Sequence, residues 1–185
     1  TSVTRDDLPD GGAAHFAATI RALRARLPGA SVEVLIPDFQ GEANALAVVL
    51  AAAPDILNHN LETVERLHPP VRPQADYSRS LLVLRRAAQA GARVKSGLML
   101  GMGETEAELA AALRDLRAAG VSLLTLGQYL APSAAHHPVA RFVPPAEFDR
   151  WRAAALALGF ESVAAAPHVR SSYHAEELSA ARSAS

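Results

Sequence analysis

Short apolar runs alternate with longer runs rich in Ala, Leu and Arg along nearly the whole chain, and no other feature narrows the fold so far. Phe16, Ile20, Leu23 and Leu27 recur at helical spacing and predict a helix over 12–27, stopped by Pro28-Gly29. The run at 32–36 predicts a strand ended by Pro37-Asp38. The same reading gives a helix over 42–52, a strand at 55–57 and a short helix after Asn60. A Pro-rich loop follows around Pro69, Pro70 and Pro73. Further on it gives a helix over 77–90 stopped by Gly91, then a strand over 94–100. A helix over 104–119 comes next, with Gly120 at its C′ position. The last elements are a strand at 123–126, a long loop at 128–143, a helix over 145–158 and a strand at 162–165.

Apolar strands alternating with helices predict an α/β fold with a parallel sheet covered by helices. A doubly wound sheet and a β/α barrel both satisfy that pattern. Polar residues follow nearly every strand: Asp38, Asn58-His59-Asn60, Gly101-Met102-Gly103-Glu104 and Gln128-Tyr129. Barrels place their sites on that C-terminal rim, whereas open sheets gather polar contacts at one switch point. Four or five strands plus a leading stub at 1–3 are too few for a closed eight-unit barrel. The expected architecture is a partial TIM-like barrel whose first β/α unit is missing, in one domain over 1–177. A small polar tail at 178–185 is expected to be flexible. The chain opens at Thr1 without Met, which reads as a processed chain or a fragment.

With 18 basic and 19 acidic residues, the net charge of −1 gives no electrostatic case for nucleic acid or an anionic membrane. No apolar run approaches the ~20 residues that span a bilayer, and no secretory signal pattern is present. The cysteine count is zero. Disulfides, thiolate nucleophiles, Cys-ligated zinc and Cys-ligated iron–sulfur clusters are therefore excluded for this chain as it stands.

Four polar segments carry candidate chemistry. The first, Arg5, Asp6 and Asp7 ahead of Gly11-Gly12, reads either as a polar ligand site or as a capped, solvated loop. The second is Asn58-His59-Asn60-Leu61-Glu62-Thr63, where a buried strand should end. Asn60 alone is explained as a helix cap. Asn58, His59 and Glu62 are not, and a carboxylate beside an Asn is a good clamp for the vicinal hydroxyls of a ribose. The third runs from Lys95 through Gly97, Met99, Gly101 and Gly103 to Glu104. Its glycines permit close approach of a flat ligand, Glu104 reads as a cap for the next helix, and Lys95 either reaches a carboxylate or snorkels. The fourth is Arg170-Ser171-Ser172-Tyr173-His174, rich in polar groups in what is otherwise a surface tail. No nucleophile-elbow pattern surrounds its serines. His136-His137 read as loop residues, because adjacent side chains do not easily face one ion.

Taken together, these segments resemble lipoyl synthase, in order from residue 1 to about 177. The residues that carry the likeness include the stretch 1–12, the strand at 32–36 with Pro37-Asp38-Phe39, the hexapeptide 58–63, the glycine-rich strand 95–104, Gly127-Gln128-Tyr129-Leu130 and Arg170-Ser171-Ser172-Tyr173-His174. The hexapeptide is the less specific part, since biotin synthase carries a similar run. The resemblance implies a cytoplasmic radical S-adenosyl-L-methionine enzyme on a partial six-unit β/α barrel. Such enzymes insert two sulfur atoms, at C6 and C8, into an octanoyl chain held on a lysine of a lipoyl carrier domain or H protein. It also implies two [4Fe–4S] clusters: one cleaves S-adenosyl-L-methionine to a 5′-deoxyadenosyl radical with an electron from a reductant, and the other gives up sulfur. Carried over by motif, Asn58, Asn60, Glu62, Lys95, Gly97, Met99 and Gly101 are the cofactor-binding residues, with Asn60 and Glu62 at the ribose. Ser171 rather than Ser172 is the non-Cys ligand of the second cluster, where a hard, displaceable oxygen suits an iron.

This sequence departs from the family at two points. The Cys-x-x-x-Cys-x-x-Cys motif and the separate Cys triad, both upstream of Thr1 in the family, are absent. Ala165-Ala166-Pro167-His168 also replaces the expected Gly-Pro and apolar residue. A C-terminal fragment of a lipoyl synthase, inactive by itself, is the expected identity. A non-catalytic module binding S-adenosyl-L-methionine or an octanoylated carrier is the alternative. A Schiff-base aldolase is disfavoured, because Lys95, the single lysine, stands at the wrong end of its strand.

Overall fold

A computed structural model describes residues 1–172. Tyr173, His174 and the expected tail at 178–185 lie outside the described residues. In chain order the elements are α1 (Ala13–Arg26), β1 (Glu33–Leu35), α2 (Ala43–Leu50), β2 (Ile56–Asn58), α3 (His68–Val71), α4 (Tyr77–Gln89), β3 (Val94–Leu100), α5 (Glu106–Ala118), β4 (Leu123–Gln128), α6 (Pro145–Ala157) and β5 (Ser162–Ala165). Two 3-10 turns stand at Phe39–Gly41 and Glu65–Leu67. Each expected strand and long helix forms within a few residues of its predicted bounds. The leading stub does not: residues 1–5 carry no regular structure and are exposed.

The sheet has five parallel strands in the order β1-β2-β3-β4-β5. That order decides between the two expected forms. A doubly wound sheet reverses direction at a switch point. Right-handed crossovers that always step the same way leave every helix on one face, as in a β/α barrel.

Strand register separates the two faces. Paired residues of parallel neighbours point the same way, and successive residues alternate. Val34, Leu57, Val94, Leu98, Leu100, Leu124, Leu126 and Ala165 face the helices and belong to one hydrophobic cluster with Ile20, Leu84, Leu113, Leu116 and Phe148. The opposite, concave face carries Glu33, Asn58, Lys95, Gly97, Met99, Thr125 and Gly127. Leu35, Ile56 and Leu123 share this face at its base, paired with Asn58, Glu33 and Lys95, and toward the C-terminal ends of β3 and β4 it is polar and small.

Local rules place the helix ends. α5 opens with a capping box: Thr105 Oγ1 accepts from Glu108 N at 3.2 Å, while Glu108 Oε2 accepts from Thr105 N at 2.8 Å. Glu104, expected to cap this helix, instead accepts from the backbone N–H groups of Gly101 and Met102 at 2.7 and 2.9 Å, closing the turn that leaves β3. Gly120 takes φ 87° just past α5, and the chain reverses through Val121 N to Leu116 O at 3.1 Å. No helix among the described residues is long and apolar enough to cross a membrane.

The capping box is measurable. Thr105→Ala is expected to lower stability by roughly 0.5–2 kcal/mol. The Arg66 guanidinium, together with the Thr105 N–H, holds the Glu108 carboxyl down at about 2, against an ordinary 4.5. Its contribution is therefore complete above 4.5 and fades as pH falls toward 2. In urea titrations the gap between the parent and Glu108→Gln should close over that window. A gap independent of pH would show that the charged form is not what stabilises the helix start.

Candidate nucleoside site on the concave face

β2 ends at Asn58, and the chain that follows stays beside β3 instead of leaving the sheet. Glu62 N donates to Gly97 O at 2.9 Å and Met99 N donates to Glu62 O at 2.8 Å, so Glu62 acts as one extra ladder residue. It does so with φ 69°, a left-handed conformation that costs a non-glycine residue on the order of 1 kcal/mol or more. This strained placement holds the carboxylate at the rim of the concave face.

Asn60, Glu62, Gly97, Met99, Thr125 and Ser171 line a cavity of about 250 Å³ there. A second cavity of about 140 Å³ shares Asn60 and Glu62 and reaches His59 and Arg72. Gly97 is bare for a packing reason: a Cβ would stand 2.5 Å from Thr125 Oγ1 and 3.0 Å from Asn60 Oδ1. That Asn60 Oδ1, like Asn58 Oδ1 and His59 Nε2, is buried with no hydrogen-bond partner. Such acceptors cost about 1–3 kcal/mol each while unsatisfied, and donor groups on a ligand would satisfy them.

Burial pushes the Glu62 carboxyl above its ordinary 4.5, against the opposing pull of the Arg72 cation and the Asn60 amide. Arg72 makes no ion pair among the described residues and is half-buried, with Nη1 3.4 Å from Asn60 O. It is thus a cation available to an anionic group. His59 Nδ1–H donates to Ile36 O at 3.0 Å, which leaves Nε2 as a bare acceptor. Burial pushes this imidazole down from 6.5 and keeps it neutral.

One layer deeper, Lys95 is fully buried. Its ammonium donates to Glu33 Oε1 and Oε2 at 2.9 and 3.1 Å and to Ser171 O at 2.5 Å. Asn58 Nδ2 donates to the same Glu33 carboxylate at 3.3 Å. Lys95 and Asn58, read from the sequence as ligand contacts, are thus taken up by Glu33 and do not line either cavity.

The C-terminal segment is the least expected part of the site. After β5 the chain folds back as a strap. Ala166 N donates to Leu126 O, and Gln128 N donates to Pro167 O, both at 3.2 Å. The Val169 carbonyl lies so close to Gly127 that a Cβ would overlap it. Asn60 Nδ2 then donates to Ser171 Oγ at 2.6 Å. Ser172 is exposed, whereas Ser171 is half-buried against Asn60.

Other expected groups lie elsewhere. Gly101 is enclosed: its carbonyl accepts from Ala140 and Arg141, and a Cβ would overlap Arg141 O. Arg5 pairs with Asp7 in solvent, and Asp10 accepts from Gly12 and Ala14 at the start of α1, the capped-loop alternative. His136 and His137 bond to Ser133 and to Met102 O, in separate places. A further cavity of about 510 Å³ lies against α1 and the β1 edge, where Phe16, Ile20, Leu23, Val32 and Val34 stand with Arg5, His15, Thr19 and Glu33.

Sequence reasoning missed Glu33, Arg72, Thr125 and Gly127. Glu33 had a signal, since a charge inside an apolar strand and one lysine in another ask for each other. Gly127, a glycine in a strand, marked a close backbone approach. Arg72 gave none.

The residues present fit a hydroxyl-bearing, partly anionic ligand such as a nucleoside with an amino-acid arm: two orphaned amide or imidazole acceptors, a carboxylate and a free guanidinium converge. They do not fit an iron–sulfur cluster. The chain has no cysteine, and no group of three His, Cys, Asp or Glu among the described residues is placed to hold a metal.

Three comparisons bear on this geometry. The family model of the Radical SAM superfamily matches residues 1–116. The lipoyl synthase of Thermus thermophilus is 59% identical over 181 residues, which is 96% of this chain and 56% of that protein. That of Chlorobaculum parvum is 58% identical over 177 residues, 95% of this chain and 61% of that protein. The chain thus spans between half and two thirds of the length of these relatives. The crystal structure of a methylornithine synthase matches with a TM-score of 0.60 at 14% identity, over 84% of this chain and 53% of that one, a likeness of fold alone.

Because the native state holds the Glu62 proton more tightly than the unfolded chain does, ionisation of Glu62 removes stability as pH rises past 4.5. Below that pH no penalty exists. Glu62→Gln should therefore gain on the parent in urea titrations from acid toward neutral pH. A constant difference would place the carboxyl in water.

Proposed function

The chain belongs to the Radical SAM superfamily, and we propose that it is the part of a lipoyl synthase that binds the nucleoside half of S-adenosyl-L-methionine. The reaction assigned to the whole protein is insertion of two sulfur atoms at C6 and C8 of an octanoyl group carried on a protein lysine. The observation that carries this reading is the convergence of Asn60, Glu62, Gly97 and Met99 with Ser171 on one cavity, from segments 111 residues apart in sequence. The identity of 58–59% to lipoyl synthases along almost the whole chain supports it.

Each residue has a role set by its chemistry. The Glu62 carboxylate accepts from the two vicinal ribose hydroxyls. Asn60 Oδ1, orphaned and buried, accepts from one of them. Arg72 faces the carboxylate of the amino-acid arm. Met99 packs on the flat base, and Gly97 keeps the strand low enough for Asn60 to lie across it. In the ligand-free chain the Asn60 amide N–H is engaged by Ser171 Oγ, so the ribose side of the site and the serine share one residue. Bound S-adenosyl-L-methionine supplies the hydrogen-abstracting adenosyl group, and iron–sulfur clusters supply the electron and the sulfur. The cluster thiolates must come from outside this chain, which has none. Ser171 would offer such a cluster an oxygen ligand from this chain, beside thiolates supplied from outside it. An octanoylated lipoyl carrier domain or H protein is the substrate, and an external reductant completes the set.

The absence of cysteine also favours a second reading, a module that binds the nucleoside or the carrier without chemistry. An iron and sulfide assay on the full-length protein that contains this chain, prepared anaerobically, separates the two readings, since stoichiometric cluster would eliminate a cluster-free module. For the enzyme reading, the full-length protein that contains this chain is reconstituted anaerobically and given S-adenosyl-L-methionine, reductant and an octanoylated carrier. Mass spectrometry should find the carrier with two added sulfur atoms. Ser171→Ala should abolish that product, while Ser172→Ala, at an exposed position, retains it. Equal loss in both variants, or none, would contradict the assignment of Ser171.

A further inference from the structure

We propose that Lys95 is a positioning residue for Ser171: its buried ammonium latches the strap 166–172 onto the concave face and so fixes where the serine oxygen stands. The proposal takes its catalytic meaning from the reading of Ser171 above, but the latch itself rests on geometry alone.

An ammonium has three N–H donors. Glu33 takes two of them, and neutralising the charge requires no more than that. The third points at the Ser171 carbonyl, the shortest of the three contacts at 2.5 Å. With the strap seated the ammonium has no exposed surface, so this contact is made away from competing water.

The strap depends on the contact in turn. Up to Pro167 it is tied by main-chain bonds to β4. Beyond that point, the hydrogen bonds that join residues 168–172 to the rest of the described chain both end on Ser171, at its carbonyl from Lys95 and at its Oγ from Asn60. The Val169 N–H and the Arg170 guanidinium bond within the strap itself. Gly127 allows the Val169 carbonyl to lie flat on β4 but offers no donor there. One lysine therefore sets the height of the serine backbone, and Asn60 sets the direction of its side chain.

A purely structural role for Lys95, as counter-charge to Glu33, makes a different prediction. Replacing both residues by methionine leaves no unpaired buried charge, and such replacements are commonly neutral in stability. It also removes the only donor to the Ser171 carbonyl among the described residues. The double variant therefore separates the two roles.

Because the chain contains no cysteine, Val169→Cys introduces a single thiol at a position 3% exposed. Its rate of reaction with a soluble aromatic disulfide, under native conditions, reports how often the strap lifts. In this background Lys95→Met is expected to react about tenfold faster or more, the loss expected for a hydrogen bond to a charged group. Glu33→Met with Lys95→Met should react equally fast, although its melting temperature returns toward that of the parent. If the double variant reacts at the parental rate, the latch is overturned, and Lys95 serves Glu33 only. The double variant answers the question even where Lys95→Met fails to fold. The readout does not involve metal, so full activity in Ser171→Ala would remove the functional reading and leave this result standing.

Discussion

The buried pair of Lys95 and Glu33 is the interaction on which the concave face depends. Breaking such a pair from one side costs about 3–5 kcal/mol, because the partner is left charged and dry. Here it joins β1 to β3 across β2, adds Asn58 through the same carboxylate, and reaches the C-terminal strap through the third lysine donor. Four segments far apart in sequence thus meet at two side chains. An apolar filling of the same space would be no less stable. It would leave nothing to orient Asn58 or to draw the strap down.

Above that layer the face changes character. The sheet side toward the helices is filled by Leu and Val, and it gives the fold its stability. The concave side has glycines at 97 and 127, and each makes room for a neighbouring group rather than for open space: Asn60 over Gly97, the Val169 carbonyl over Gly127. Glu62 is held in a left-handed conformation at the rim by two main-chain bonds to β3. Strain, orphaned acceptors and an unpaired guanidinium gather within the two adjoining cavities. Folding alone rewards none of these features, whereas a polar ligand satisfies the acceptors and the guanidinium beside the strained Glu62.

Much of this was legible in the sequence. Periodicity placed β3 at residues 94–100, matching its observed bounds, and polar residues behind successive strands pointed to a barrel-type sheet, which the consecutive strand order bears out. The crowding of Asn58, His59, Asn60 and Glu62 was visible as a cost without a structural reason. What sequence could not supply was the third dimension of that crowding. β2 ends at Asn58, which bonds to Glu33, while Asn60 lies past the strand end at the cavity, so near neighbours in the hexapeptide serve different layers. Lys95, read as reaching a carboxylate or snorkelling and by resemblance as a ligand contact, does reach a carboxylate, but nothing local marks which one, 62 residues away. The capping role expected of Glu104 belongs to Thr105 and Glu108, because Glu104 turns back to the N–H groups of Gly101 and Met102. The stub at 1–3 is a different miss: among the described residues it makes no main-chain bond to the open edge of β1.

The central claim is that Glu62 and Asn60 hold the ribose of S-adenosyl-L-methionine. Equilibrium binding of S-adenosyl-L-methionine to the reconstituted full-length protein, parent against Glu62→Ala, tests it most directly. Losing a carboxylate that accepts from two hydroxyls should weaken binding by roughly ten- to a hundredfold. Equal affinity in the two proteins would contradict the placement of the ribose.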